Sequence, residues 1–285
     1  MENYIVGIGE ALWDMLPDGK QLGGAPANFA YHVKRLGLPA RVVSAVGKDA
    51  LGEEILQIFQ DKEIPALVQQ VSYPTGTVQV SLDEAGIPSY EIKTAVAWDN
   101  IPYTAELEEL AHHTQVVCFG SLAQRNKVSY DTINRFLDEM PDSEEVLKVF
   151  DINLRQHFYT KEVLHRSLDR CNILKINDEE LEQVSDIFSL ADTSMEERCR
   201  KLIATYQLKM VILTCGEHGS YVITPENVSY KDTPHVEVVD TVGAGDAFTA
   251  AFIVGVLRGN SISEAHQLAV DIAAYVCTKP GAMPE

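Results

Sequence analysis

The sequence DTVGAGD at positions 240–246 joins a predicted strand, residues 235–239, to a predicted apolar helix, residues 247–258. Its two glycines let the backbone turn sharply and approach a ligand with no side chain in the way. Free amides at a helix start point outward and bind anions. The carboxylate of Asp246 can accept a proton from an alcohol while those amides hold a phosphoryl group. The alternative is that Asp246 only caps the helix, as Asp often does.

The rest of the chain alternates between buried strands and amphipathic helices. This repetition of βα units predicts a mostly parallel sheet that is covered by helices on both faces. No linker or second boundary interrupts it, so the 285 residues form one predicted domain. Strands are predicted at 4–9, 41–46, 115–119, 146–151, 172–176 and 210–214, and helices at 27–36, 50–62, 126–140, 161–170, 179–184, 195–206 and 263–279.

Two stretches depart from the alternation. Residues 11–22 leave the first strand and contain a Pro-Asp-Gly turn, and residues 75–102 contain predicted strands at 77–82 and 89–94. A hairpin that extends from an α/β domain is a candidate lid, and an ordinary antiparallel edge is the alternative. The pattern alone leaves both open.

The composition excludes several functions. The formal net charge is -19 and no dense Lys/Arg cluster exists, which disfavours binding to nucleic acid or to an anionic membrane. The five cysteines include no CxxC pair, as expected for reduced thiols in a cytoplasmic protein. The N-terminal residues lack the basic region of a signal peptide, and the longest apolar run, 247–257, is too short to span a bilayer.

Polar residues follow several of the predicted strands. Ligands bind beyond the carboxyl ends of parallel strands, so these residues are expected to meet at one edge of the sheet. They come from segments that lie far apart in the sequence, and their convergence supports a site there. They are Asp14, Asp151, Asn153, Arg155, Lys175, Asn177, Thr214 and Gly216.

Two further motifs carry alternative interpretations. The sequence GGAPAN at 23–28 opens a helix, where paired glycines leave room for a ligand and Asn28 offers a donor and an acceptor, although a simple Gly-Pro turn is the alternative. The sequence NDEE at 177–180 fits a capping box, in which Asn177 and Glu180 bind each other's backbone amides. The same two residues could hold hydrated Mg²⁺, and the two roles are compatible. For Arg155, the alternative to a role in the site is an ordinary ion pair on the protein surface.

Two common nucleotide-binding motifs are incomplete or missing. The glycines at 243 and 245 begin a GxGxxG pattern, but Phe248 stands where the third glycine should be. The glycines at 7 and 9 begin the same pattern, and there Leu12 replaces the third glycine. A dinucleotide-binding fingerprint is therefore disfavoured. No GxxxxGK[ST] sequence occurs, which excludes a P-loop.

Taken together, GGAPAN, NDEE and the longer sequence DTVGAGDAF at 240–248 resemble the signatures of the ribokinase-like (PfkB) carbohydrate kinases. The resemblance spans nearly the whole chain. Within that family, the GGAPAN form, Ala97-Trp98-Asp99 and Gly120-Ser121-Leu122 look most like bacterial fructokinases.

The resemblance implies a three-layer α/β/α ribokinase-like fold with a mostly parallel central sheet and a small β-sheet lid at about 11–22 and 87–102. It implies transfer of the γ-phosphoryl group of ATP to a sugar hydroxyl with Mg²⁺, most simply from D-fructose to fructose 6-phosphate. Ribose, 2-keto-3-deoxygluconate or adenosine are alternative acceptors. A sugar-binding regulator that kept the fold without the chemistry is an alternative from another class.

The resemblance also assigns roles by position. Asp246 is the general base, and the amides of Gly243, Ala244 and Gly245 form the anion hole. Sugar binding falls to Asp14, Gly24, Asn28, Trp98 and Arg155, with Trp98 on the lid side. The nucleotide is expected near Lys175, Asn177, Thr214, Gly216 and Gly219, with Mg²⁺ held through water by Asn177 and Glu180. Many family members use K⁺, for which Asp240, Thr241 and residues 279–281 are the matching positions, and a homodimer through the lid is expected.

Overall fold

The computed structural model describes residues 3–16, 19–82, 88–190 and 193–285, with only the backbone described at 80–82 and 88–90. The predicted turn at 17–19 and the loop at 83–87 therefore lie wholly or partly outside the described residues. None of the described helices combines the length and the apolar character needed to cross a membrane.

Thirteen strands are present in the described residues, and they form two sheets. The strands are β1 Tyr4–Ile8, β2 Leu12–Leu16, β3 Gly19–Gly23, β4 Ala40–Gly47, β5 Ala66–Val71, β6 Gly76–Leu82, β7 Pro88–Ile92, β8 Thr114–Phe119, β9 Leu147–Asp151, β10 Ile173–Asn177, β11 Met210–Thr214, β12 Ser220–Ile223 and β13 Val228–Lys231. Nine of them build the main sheet in the order β13-β12-β11-β10-β9-β8-β1-β4-β5. The seven strands from β11 to β5 in that order pair in parallel, and β12 and β13 add an antiparallel hairpin.

The helices cover both faces of the main sheet. Along β1, Ile5 packs into one hydrophobic cluster while Val6 and Ile8 pack into the other, as the two-residue period of a strand requires. One cluster contains residues of α1, α2, α8 and α9, and the other contains residues of α3 to α7. The predicted three-layer α/β/α fold is thus confirmed. The helices are α1 Ala25–Arg35, α2 Ala50–Asp61, α3 Ala105–His112, α4 Lys127–Glu139, α5 Lys161–Arg170, α6 Asp178–Phe188, α7 Met195–Tyr206, α8 Ala244–Leu257 and α9 Ile262–Cys277.

The smaller sheet has the order β3-β2-β6-β7 and projects from the carboxyl end of β1. Its strands correspond to the predicted segments at 11–22 and 77–94. Residues 97–100 do not join it, although the predicted lid extended to 102. They form a short 3₁₀ turn inside the core, because Trp98 fills a slot beside Gly76, where even a Cβ atom would come within 2.1 Å of the indole nitrogen.

The predicted strand at 235–239 is wrong. These residues are irregular, with a bend at Val239, and pair with no strand in the described part of the chain. Val238 and Val239 are 59% and 60% exposed, and the amides of Val239 and Asp240 donate instead to the carbonyl of Cys277 at the end of α9. The alternating valines imitated a strand, but β13 already occupies that edge of the main sheet.

Candidate active site

The site is centred on Asp246, which lies in the first turn of α8. Its carboxylate oxygen Oδ2 accepts a hydrogen bond of 2.8 Å from Nδ2 of Asn28 on α1. Asn28 is buried, so this bond holds the carboxylate in a fixed direction. The motifs at 23–28 and 240–246, which are far apart in the sequence, therefore meet through a direct contact.

The environment of Asp246 favours its protonated form. Burial and then the nearby carboxylate of Asp151 raise the pKa of Asp246 to about 7, against the opposing effects of Asn28 and Lys175. A carboxylate whose pKa lies near neutral pH is a stronger base than an ordinary aspartate. The side chain is therefore suited to accept a proton at physiological pH.

The start of α8 has the geometry of an anion site. Gly243 occupies the N-cap position in the left-handed region, with φ 76°, and no side chain caps the helix. The interpretation of Asp246 as a simple cap is thus not supported, since its carboxylate binds Asn28 instead. The first helical bond of α8 runs from the amide of Ala247 to the carbonyl of Gly243, at 2.8 Å. The amide of Ala244 makes a long hydrogen bond of 3.3 Å to the carbonyl of Thr241, and amides in the first turn of a helix can bind an anion.

Lys175 supplies positive charge next to these amides. A Cβ atom added to Gly245 would stand 3.2 Å from Nζ of Lys175, so the glycine leaves the approach open. Nζ also lies 3.1 Å from Oδ1 of Asp151, a charge contact rather than a well-aligned hydrogen bond. Burial alone would lower the pKa of Lys175, but Asp151, Glu180 and Asp246 together raise it, so the amine stays charged.

Asp14 marks the side of the site that faces the smaller sheet. It lies on β2, opposite β3, and a Cβ atom at Gly23 would come within 2.5 Å of its Oδ2. Burial raises the pKa of Asp14 to about 6, while the charge of Arg155 acts in the opposite direction. Arg155 itself is exposed, and its guanidinium donates to the carbonyl of Leu154. Gly24 has φ 119° and packs against the carbonyl of Glu10, which no larger residue would allow.

Glu10 is a residue that the sequence analysis missed. It lies two residues after the end of β1 and is only 2% exposed, and burial raises the pKa of its carboxyl group. Arg155, Asp151 and the amide of Ala25 at the start of α1 all act on that pKa. Its position after the first strand was the available signal, because acidic residues at the carboxyl ends of parallel strands are candidates for a site.

The capping-box interpretation of residues 177–180 is confirmed. Oδ1 of Asn177 accepts from the amide of Glu180 at 2.7 Å, and Oε2 of Glu180 accepts from the amide of Asn177 at 2.9 Å. Oε1 of Glu180 also accepts from the amide of Leu154, at 2.9 Å. The buried carboxylate therefore ties the loop after β9, which carries Arg155, to the start of α6.

Thr214, Gly216 and Gly219 lie together at the end of β11 and in the turn to β12. Gly216 has φ 53° with open space around it, and its carbonyl accepts from Oγ1 of Thr233. Gly219 has φ 90°, and a Cβ atom there would meet the carbonyl oxygen of Lys231 at 2.5 Å. The turn is thus shaped by glycines at the same sheet edge as Lys175 and Asn177.

Two predicted residues have other surroundings than expected. Trp98 is fully buried under the guanidinium of Arg125, so its ring has no exposed face with which to contact a sugar in this structure. Both carboxylate oxygens of Asp240 accept backbone amides, from Val242 and Gly281. Asp240 therefore ties the loop before α8 to the C-terminal segment, while Thr241 is exposed beside it.

Comparison with known proteins agrees with the fold. The sequence pattern described as "pfkB family carbohydrate kinase" matches residues 18–285, and the chain belongs to this family. The fold class and the family resemblance expected from the sequence are thereby confirmed.

Individual relatives cover almost the whole chain. An ATP-dependent 6-phosphofructokinase from Thermoanaerobacterium thermosaccharolyticum is 29% identical, over 98% of this chain and 89% of its own length. The fructokinase of Salmonella typhimurium is 27% identical, over 97% and 94%. A double-mutant fructokinase from Vibrio cholerae O395, solved with fructose, ADP and potassium ion, superposes with a TM-score of 0.81 at 25% identity, over 99% of this chain and 94% of that one.

Proposed function

We propose that this carbohydrate kinase transfers the γ-phosphoryl group of ATP to D-fructose and forms fructose 6-phosphate and ADP. The observation that carries the proposal is the placement of Asp246. Its carboxylate, with a pKa of about 7, lies in the first turn of a helix that no side chain caps. A proton acceptor thus lies in the same helical turn as amides that can bind an anion.

The roles follow from the demands of phosphoryl transfer, which needs mainly positioning and neutralisation of charge. Asp246 takes the proton of the sugar hydroxyl while the oxygen of that hydroxyl attacks the γ-phosphorus and ADP departs. The amides of Gly243, Ala244 and Gly245 hold the transferring group, and the charged amine of Lys175 lies beside them. Because the chain is strongly acidic, amides and single placed cations, not a general attraction, must hold the phosphates.

The charges around Asp246 favour a neutral acceptor over a phosphorylated one. The carboxylates of Glu10, Asp151 and Asp246 interact electrostatically with one another, and Asp14 is a further acid on which Arg155 acts. The cations that act on them are Lys175, which is paired with Asp151, and Arg155. A phosphate on the acceptor would thus rely on Arg155 alone, whereas sugar hydroxyls can donate to Asp14 and to its neighbours. This favours fructose over fructose 6-phosphate, although relatives named for both are found.

ATP, Mg²⁺ and K⁺ would each be held by different groups of the chain. Glycines at 216 and 219 leave space for a nucleotide at the edge of the sheet. Among the described residues no group of three metal-ligating side chains exists, so Mg²⁺ would be held by the phosphates and by water near Asn177 and Glu180, the usual arrangement for this ion. Bound Mg²⁺ supplies neutralising charge. K⁺ would take backbone carbonyls near Asp240 and Thr241, because the carboxylate of Asp240 is occupied.

The smaller sheet supports the proposal of a lid. It carries Asp14, and the charge of Arg155 acts on both Asp14 and Asp151. Closing over a sugar would exclude water as a competing acceptor. Its outer strands β3 and β7 each have one edge unpaired in the described chain. Such edges pair readily with another strand, which supports a homodimer through the lid. Light scattering of the purified protein would test the dimer.

A substrate panel tests the proposed function. Purified protein with ATP, Mg²⁺ and K⁺ is supplied in turn with fructose, fructose 6-phosphate, ribose, 2-keto-3-deoxygluconate and adenosine, and ADP release is measured. The proposal expects the highest kcat/KM for fructose, with fructose 6-phosphate as the product. A preference for fructose 6-phosphate or another acceptor would overturn the choice of substrate. Sugar binding without any turnover would identify a non-catalytic regulator instead.

A further inference from the structure

Residues 280–285 form a C-terminal strap that lies across α1 and beside the loop before α8. The strap is fastened by side chains that donate to its backbone carbonyls. Nε2 of His32 contacts the carbonyl oxygen of Ala282 at 2.8 Å, and Nζ of Lys62 donates to that of Met283 at 3.1 Å. Tyr31 and Tyr275 bind the carbonyls of Pro284 and Glu285.

The strap supports the first glycine of the anion hole. Ala282 is buried, and a Cβ atom added to Gly243 would stand 2.5 Å from its Cβ and 2.7 Å from its Cα. The Cα atom of Gly243 therefore rests directly on Ala282. The amide of Gly281 also donates to Oδ2 of Asp240, at 3.0 Å, so the strap holds both ends of the turn at 240–243.

His32 has no role in the proposed chemistry, yet it is buried, with 5% exposure. Burial and the charge of Arg35 lower its pKa to about 4, although the carbonyl of Ala282 acts against this. The imidazole is thus neutral at physiological pH, and Nε2 must carry the proton to bind a carbonyl. His32 follows Asn28 by four residues on α1, which places both side chains on one face of that helix.

We propose that His32 is a positioning residue for the anion hole. Its N–H group holds Ala282, Ala282 supports Gly243, and Asn28 one turn earlier holds Asp246. Helix α1 thereby fixes the distance between the proton acceptor and the amides that bind the phosphoryl group. The inference rests on the proposed function, since it assumes those roles for Asp246 and Gly243. Misplacement of a reacting group by about 1 Å costs up to roughly a hundredfold in rate, so a loose strap would lower kcat.

Three variants test this inference. His32→Ala removes the donor and is expected to lower kcat about tenfold, with the KM for the sugar changed less than about twofold, because Asp14 and Asn28 are untouched. His32→Gln keeps an N–H donor of similar reach and is expected to restore kcat to within about threefold of the wild type. His266→Ala is the matched control. That histidine is also buried and neutral but binds Ser220 and Ser229, so kcat at saturating substrates should change less than about twofold.

A readout without turnover separates positioning from stability. Hydrogen exchange of the amides at 240–246 is expected to quicken in His32→Ala and not in His32→Gln or His266→Ala. The inference is overturned if His32→Ala keeps wild-type kcat, if Gln fails to restore it, or if exchange at 240–246 does not change. A wild-type protein that turns over no acceptor would instead contradict the proposed function, so the two failures are distinguishable.

Discussion

The pKa of Asp246, about 7, predicts how the reaction rate depends on pH. If the carboxylate must accept a proton, kcat/KM for the sugar follows the ionised fraction of Asp246 in the free enzyme. That fraction is roughly one eleventh at pH 6 and ten elevenths at pH 8, so kcat/KM should rise about tenfold from pH 6 to pH 8. The slope steepens below about pH 6 because Asp14, with a pKa of about 6, then also loses its charge.

Two variants should move this profile in opposite directions. Asp151→Asn removes the negative charge that raises the pKa of Asp246 most and is expected to shift the midpoint down by about one pH unit. Lys175→Met removes a positive charge and should shift it up by a similar amount, whatever its effect on the maximal rate. The assay is initial velocity at saturating ATP and Mg²⁺ in buffers of constant ionic strength. A flat profile from pH 6 to 8, or shifts of the same sign in both variants, would refute the reasoning.

Three other consequences concern stability and nucleotide binding. Because the folded state binds the proton of Asp246 more tightly than the unfolded state, ionisation costs stability, a cost that is absent below about pH 4 and complete above about pH 7. Asp246→Asn should thus raise the free energy of unfolding by about 1–4 kcal/mol at pH 8 and leave it unchanged at pH 4. The lower values apply if neighbouring acids titrate together with Asp246. Urea melts at the two pH values measure both effects. Glu180→Gln places an amide group against a backbone N–H and should lower the free energy of unfolding by about 2 kcal/mol. Glu179→Gln, at an exposed position, should lower it by less than about 0.5 kcal/mol. Equal losses of stability in the two variants would contradict the capping role of Glu180. Gly219→Ala should raise the KM for ATP at least about tenfold, because its Cβ would meet a carbonyl oxygen at 2.5 Å, and Gly216→Ala, which has open space, should have a smaller effect.

The parts of the site that the sequence predicted are those that fold topology determines. Once the strands are parallel, residues at their carboxyl ends must share one edge, and Lys175 and Asn177 do so. The glycines at 243 and 245 were informative because few other roles demand two such residues at a helix start. The capping box at 177–180 could be predicted because its partners lie within one helical turn.

The parts that were wrong or missed depend on distant partners. The resemblance assigned Trp98 to the sugar site, but Gly76 opens a slot for its side chain in the core. The valines at 235–239 have the period of a strand without a neighbour to pair with. Glu10 lies after the first strand, but its surroundings come from α1 and the loop after β9, which are distant in the sequence. His32 has no local signature, since its partner lies in the C-terminal strap.

The most direct test of the account is the turnover of Asp246→Asn. The substitution keeps the size of the side chain and removes its ability to take a proton, so kcat should fall by about 10²–10⁴-fold while fructose still binds, as measured by calorimetry. Turnover within about threefold of the wild type would contradict the role of Asp246 as the general base.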